Sequence, residues 1–398
     1  MTDRKFSGSR WARTLRWIGA VGAAAVLAAC GGGGGDGSAA DGSLRVALTD
    51  APICGGLDHV FITVEKVRVH KSASAGDEDA GWSEIVVGPP AKKVDLATLT
   101  NGVLEELGTT ALPAGQYSQI RLVLASNTAT GTSSLANSVQ PTGGALTPLA
   151  TPSGQQSGLK LQAHFEVLPN QMADLVLDFD PCKSVVQSGN SGQFILKPVV
   201  SVFERVVTSL QGFVTTTLSL SSTTVAAQQD GVVIRSTTPD STGKFTIPFL
   251  PTGTYTLVIT SEGHATGVIT GVPAGTATTV VNGTATAIST PVSTMADVTG
   301  TVTVTDASVR ALQVLTGGPT IEVSHQNVDA VLGTYRLHLP VGAPVKATFV
   351  SPLTALVFTP DATAAGKYTI QAQSPGHTTQ DKPANISGGT SVGVNFAL

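Results

Sequence analysis

Charge is what this sequence has least of. Charged side chains make up 13% of its 398 residues and aromatic ones 5%, while Gly, Ser and Thr abound. That composition fits a turn-rich β protein of the exported kind. The balance is −4, and no basic cluster occurs after Arg16. Nucleic-acid binding needs a positive footprint, so that class is excluded. Beyond residue 29 no apolar run is long enough to cross a bilayer. Catalytic signatures are missing as well: no His-Glu-x-x-His helix occurs, and Gly-x-Ser-x-Gly and Gly-x-Gly-x-x-Gly are met only at 389–393 and 32–37, without the strand-to-helix context that those motifs need. Ser157-Gly-Leu-Lys160 fits Ser-x-x-Lys, but it lies at a loop-to-strand entry and lacks the companion Ser-Asp-Asn and Lys-Thr-Gly motifs. The histidines, at 59, 70, 164, 264, 325, 338 and 377, are scattered singly. The expectation is a protein that is not an enzyme.

What is present begins at the amino terminus. Arg4, Lys5, Arg10, Arg13 and Arg16 make a basic opening, and Trp17 to Ala29 is uncharged and mostly apolar or small. This is the pattern of a secretory signal over residues 1–29. Leu27-Ala28-Ala29-Cys30 resembles the lipobox of bacterial lipoproteins. The resemblance implies a diacylglyceryl thioether on Cys30, cleavage before it and acylation of the new terminus. Several acyl chains hold firmly to a membrane, because each buried CH₂ adds about 0.8 kcal/mol. Gly31, with no Asp after Cys30, resembles lipoproteins sent to the outer membrane, at its periplasmic face or the cell surface. Residues 30–42 are Gly-rich and read as a tether. Cys54 and Cys182 remain as a pair in an oxidising compartment, which predicts a disulfide. Its long loop would contribute on the order of 4–5 kcal/mol. A two-thiol metal site lacks partners at ligand spacing.

Residues 43–206 read as an antiparallel β domain with one helix. Strands are expected at 44–48, 60–69, 82–87, 117–125, 159–167, 173–180 and 194–203. Leu96, Leu99, Val103, Leu104 and Leu107 recur at helical spacing, which predicts a helix over 94–107 capped by Gly108. Leu-Thr-Asp-Ala-Pro (48–52), Val-Asp-Leu (94–96), Leu-Pro-Ala-Gly-Gln-Tyr (112–117) with Arg121, Pro-Ser-Gly-Gln-Gln-Ser-Gly-Leu-Lys (152–160) and Leu-Asp-Phe-Asp (177–180) resemble the bacterial lipoprotein family called domain of unknown function 4382. The resemblance implies location and architecture and carries no activity.

Strand alternation places Lys160, Gln162, His164 and Glu166 on one face, and Asp174, Val176, Asp178 and Asp180 on another. A solvated sheet face is the plain reading. The sharper one is a ligand or cation site built from Asp50, Asp178 and Asp180, with Arg121 or Lys160 as partner. Paired carboxylates would suit calcium, although the spacing matches no EF-hand loop. No other cofactor is expected.

Residues 207–398 repeat themselves. Gly253-Thr-Tyr-Thr-Leu and Ser261-Glu-Gly-His264 line up with Gly366-Lys-Tyr-Thr-Ile and Ser374-Pro-Gly-His377 at an offset of 113. Upstream, Gly243-Lys-Phe-Thr-Ile lines up with Gly333-Thr-Tyr-Arg-Leu at an offset of 90, which leaves an insert around 341–365 in the second copy. Gly-x-Phe, Leu-Pro-x-Gly-x-Tyr and a following Gly-His resemble the carboxypeptidase regulatory-like fold, related to transthyretin and to carbohydrate-binding sandwiches. The resemblance implies β-sandwich modules at 207–292 and, more diverged, at 293–398, with Tyr255 and Tyr368 in their cores. The whole is mainly β. Two functions stay open: an anchored binding or adhesion protein whose partner is an envelope glycan, or a structural component recognising proteins by its strand edges.

Overall fold

The computed structural model describes residues 40–53, 56–128, 135–152, 157–351 and 355–398. Cys30 and Cys54 lie outside the described residues. Three hydrophobic cores, one per domain, organise the rest.

In the first domain a sheet runs in the order Val200–Glu204, Met172–Phe179, Gly42–Asp50, Glu105–Leu112. It is mixed rather than antiparallel, because Gly42–Asp50 lies parallel to Met172–Phe179. A second sheet is built round the long strand Leu57–His70, which pairs with Gly115–Leu124 and that in turn with Leu159–Val167. The core between the sheets includes Leu48, Ile62, Leu122, Leu177 and Phe179, all essentially inaccessible. Leu159–Val167 alternates strictly between buried and exposed, so Lys160, Gln162, His164 and Glu166 do face solvent.

The helix expected over 94–107 is replaced by a strand at Lys92–Asp95, one 3-10 turn at Leu96–Thr98, and the strand Glu105–Leu112. Asn101-Gly102 breaks the segment: both have positive φ, 59° and 80°. That dipeptide favours a turn over helix continuation. Leu96, Leu99 and Leu107 are buried as the periodicity demanded, but from a turn and a strand, while Val103 is exposed. Among the described residues the α-helical turn of the domain is Pro181–Ser184, capped by the Asp180 carboxylate, which accepts from Lys183 N–H at 3.0 Å.

The two copies of the repeat fold alike. In the second domain the main sheet begins Val232–Thr237, Thr223–Gln229, Gly253–Ser261, Gly267–Ala274; in the third it runs Thr320–Asn327, Ser308–Val314, Lys367–Gln373, Gln380–Asn385. Each faces a smaller sheet of the same order and sense, Ser209–Phe213 or Met295–Thr301 being its middle strand. Both modules are thus β-sandwiches. Tyr255 OH donates to Pro251 O at 2.7 Å, and Tyr368 OH to Pro340 O at 2.6 Å. Burial of each ring with a satisfied hydroxyl is the expected arrangement. Tyr117 OH donates to Pro113 O at 2.8 Å, so the Leu-Pro-x-Gly-x-Tyr corner also occurs in the first domain.

The insert departs from its own module. Val345–Thr348 pairs parallel with Gly267–Ala274, and Thr359–Pro360 pairs with Val345–Thr348. Both therefore extend the second domain's sheet, and Phe349, Leu356 and Phe358 pack against its core. Val258, Val268, Leu315, Ile321 and Ala364 form a further apolar cluster across the joint of these two domains. The side chain of Gln228 imitates a strand there. Its amide donates to Glu322 O at 2.7 Å, and its carbonyl accepts from Glu322 N–H at 2.8 Å.

Candidate functional site

A cleft of about 730 Å³ opens where the three domains meet. The first domain contributes the turn after Asp50 and the helical turn carrying Asp180 and Lys183. The second contributes the outer face of its main sheet, with Thr224, Gln228 and Thr260. The third contributes the strand bearing Glu322 and His325. Period-2 alternation explains these residues: in each sandwich one face of the sheet builds the core, and the other turns hydroxyl and amide groups outward. The volume lies within the range of small-molecule sites, about 300–1,000 Å³.

The cleft holds both signs of charge. The Asp180 carboxylate caps the helical turn and also meets Lys183 Nζ at 3.2 Å. Glu322 faces Arg310 at 3.1 Å. Burial raises the pKa of Glu322, and the charges of Lys183 and Arg310 oppose that rise. Burial, with the same two cations, pushes His325 down to about 3, so its imidazole is neutral at ordinary pH. At the mouth, His338 meets Asp297 at 2.6 Å and Glu262 at 3.2 Å. Burial alone would raise the pKa of Asp297; hydrogen bonds from His338 and Arg336 outweigh it and hold the group below its usual value. His264 is engaged with Thr290 O at 2.9 Å, a turn role. Among the hydrogen bonds of the described residues, no hydroxyl of the cleft meets a histidine. What the cleft offers is hydrogen bonding from several directions.

The residues proposed from strand alternation separate into two places. Asp50 and Asp178 are brought together on adjacent strands, and Asp180 follows at the helix cap. Arg121 and Lys160 are not with them. Arg121 is buried in the other sheet, bonded to Asp77, to Ser157 O at 3.0 Å and to Ala75 O at 2.7 Å, with Trp82 stacked at 4.6 Å. It secures the loop from 71 to 82. Lys160 pairs in register with Arg121 and is exposed.

The cation beside Asp178 is Arg235 of the second domain, at 3.4 Å. Its guanidinium lies 3.5 Å from the centre of the Phe203 ring. A lone Arg in a Val-rich strand carried no signal of this partner. Burial pushes Asp178 up to about 6 against the pull of Arg235. Asp50 is 4% exposed, and neither carboxylate oxygen has a hydrogen-bond partner. Burial, and then the charges of Asp178 and Asp180, raise its pKa well above the usual carboxylate value. Among the described residues no three His, Cys, Asp or Glu side chains converge as metal ligands. The Asp50–Asp178 cluster lies at a buried domain joint, with Arg235 of the second domain against it. Asn101 completes that joint: its backbone N–H donates to Thr237 Oγ1 at 2.9 Å, and Thr246 N–H donates to its side-chain Oδ1 at 3.0 Å.

Residues 41–198 match the family model described as Domain of unknown function (DUF4382), and residues 209–289 the one described as Carboxypeptidase regulatory-like domain. Neither is a catalytic family. No curated protein matches the chain. Among solved structures, a type II cohesin–X-dockerin complex from Acetivibrio cellulolyticus, an N-terminal interface mutant, is 24% identical over 22% of this chain, with a TM-score of 0.19. The chain spans 59% of that structure's length. A C-terminal interface mutant of the same complex is 26% identical over the same shares, also at 0.19. The major pilin subunit of Bacillus cereus is 11% identical over 90% of this chain and 99% of its own, with a TM-score of 0.13. These superpositions share too little geometry to carry a functional argument.

Proposed function

We propose that this chain is a non-catalytic binding protein of the bacterial envelope, anchored through Cys30, and that its ligand occupies the three-domain cleft. The observation that supports this is the cleft itself: about 730 Å³, walled by hydroxyl groups and both signs of charge set among apolar side chains such as Ile53, Val258 and Val323. A polyhydroxylated ligand, an envelope glycan, suits such walls, because Thr224 and Thr260 can exchange hydrogen bonds with sugar hydroxyls while Lys183 and Glu322 discriminate substituents. Loss of water–hydroxyl bonds must be matched closely for such binding to be favourable. The anchor keeps the site at the envelope. The predicted Cys54–Cys182 disulfide would fix one wall: the Cys182 sulfur lies 3.1 Å from Pro52 O, at the head of the segment that carries Cys54.

The test is a glycan and peptidoglycan-fragment screen with soluble residues 31–398, with and without calcium. Specific binding that is lost in Thr260→Trp, which fills the cleft, supports the reading. Binding that survives Thr260→Trp moves the site elsewhere. Binding by residues 207–398 alone would also refute it, because the first domain supplies one wall. No binding under any condition would favour protein partners at strand edges.

A further inference from the structure

The chain enters the first domain at Gly42, and two turns flank that entry. Asn170 N–H donates to Asp41 O at 3.1 Å, and Ser43 N–H to Gln171 O at 2.9 Å. Gly42 pairs with Leu112, and Gly115 pairs with Val167. The turns at 112–115 and 168–171 therefore form one end of the domain together with the entry. Apolar side chains stand exposed there among the polar ones ordinary in turns, Asn170 and Gln171. Leu168 is 43% and Met172 50% exposed, and Pro113 and Pro169 are exposed beside them.

Residues 31–41 connect this end to Cys30. Fully extended they reach at most about 40 Å, roughly the width of a domain of this size. We propose that this end of the first domain rests in the interfacial layer of the bilayer, with Leu168 and Met172 inserted among the lipid headgroups and upper acyl chains. The proposal takes acylation of Cys30 as its premise. The contact is apolar rather than electrostatic: the neighbouring cation Lys71, which donates to Ala114 O at 3.1 Å, is offset by the acidic Asp41 and Glu166. Insertion is accordingly indifferent to anionic lipid and to salt. It orients the domain with its chain entry on the membrane.

Met172 is its own reporter, and Met295, in the cleft, is the control. The lipidated chain is placed in vesicles of phosphatidylcholine, with or without phosphatidylglycerol, and peroxide oxidation is followed by peptide mass spectrometry. A soluble Cys30→Ser chain is the reference. The expected result is a several-fold slower oxidation of Met172 on either vesicle, with Met295 unchanged. Leu168→Asp should restore the solution rate while the chain still floats with vesicles. Equal Met172 rates on vesicles and in solution overturn the proposal, as does protection that needs anionic lipid. Flotation reports the anchor separately. A chain that does not float refutes acylation, and attaching residue 30 to nickel-chelating lipid through a terminal polyhistidine tag then tests the end itself.

Discussion

Replacing Asp178 by Asn should stabilise the protein at neutral pH, although it removes one half of an ion pair. The two opposing terms can be weighed. Breaking a buried pair by deleting one partner commonly costs about 3–5 kcal/mol, because the other charge is stranded. Against this stands the desolvation of Asp178 itself, which raises its pKa from 3.8 to about 6 in spite of Arg235. A folded pKa above the unfolded one means that the native state holds the proton more tightly. The contribution of this group is then fully present below pH 4 and is lost as pH rises through 6. At about 1.36 kcal/mol per pH unit, the loss is on the order of 3 kcal/mol. Asn mimics the protonated acid and escapes that loss. Arg235 is not stranded, since it keeps Ile234 O at 2.8 Å and the face of Phe203. The check is urea denaturation followed by circular dichroism at pH 4, 5, 6 and 7. The variant should match the parent at pH 4 and exceed it by about 3 kcal/mol at pH 7. A variant less stable than the parent at pH 7 would refute the reasoning and give the ion pair priority over desolvation.

His325 should act in the opposite sense. Its pKa is depressed from 6.5 to about 3, so the parent loses stability as pH falls below 6.5, and His325→Gln should flatten that limb of the same denaturation series. Tyr255→Phe should cost about 1 kcal/mol, the net value of the hydrogen bond to Pro251 O, read as a lowered urea midpoint. Replacing residues 343–363 by a short link should uncover the Gly267–Ala274 edge and part of the second core, measured as faster amide exchange in 267–274; unchanged exchange there would show that the insert is dispensable to that sheet. Alkylation of the exported chain without reductant should leave Cys54 and Cys182 unmodified; addition to either would remove the disulfide.

Strand periodicity reads well where one partner of a strand is water. Leu159–Val167 alternates without exception because its outer face is solvated. The neighbouring Met172–Phe179 has the same alternating letters, yet Leu175, Val176 and Leu177 are all buried. Around Asp178 its acidic face meets the second domain, and nothing local to 172–180 records that Arg235 will lie against it. The repeat was legible for a related reason. Two copies of one module must satisfy the same internal contacts, so Gly253-Thr-Tyr and Gly366-Lys-Tyr keep the same spacing to their following turns. The excursion of 341–365 could be seen as an insert, but not as two strands of another sheet, because strand pairing is a contact between distant segments and leaves no period of its own. Leu96, Leu99 and Leu107 failed for a local reason: their helical spacing is real, but Asn101-Gly102 favours a turn, and a buried turn followed by a strand satisfies the same apolar positions.

The cleft belongs to this second kind of feature. Every side chain that walls it is unremarkable in its own segment: Thr224 and Thr260 are outward residues of a sandwich, Lys183 closes a single helical turn, and Glu322 sits mid-strand. They become a site because Asn101, Gln228 and Asp329 fasten the domains at three joints, Asp329 by accepting Gly189 N–H at 2.9 Å. Domain joints with paired hydrogen bonds hold a cleft at fixed width, which lowers the ordering cost of binding. It follows that function should be more sensitive to these fasteners than stability is. Gln228→Ala removes two hydrogen bonds from one joint and leaves both sandwich cores intact, so it should widen the cleft and weaken any ligand held there while the modules stay folded.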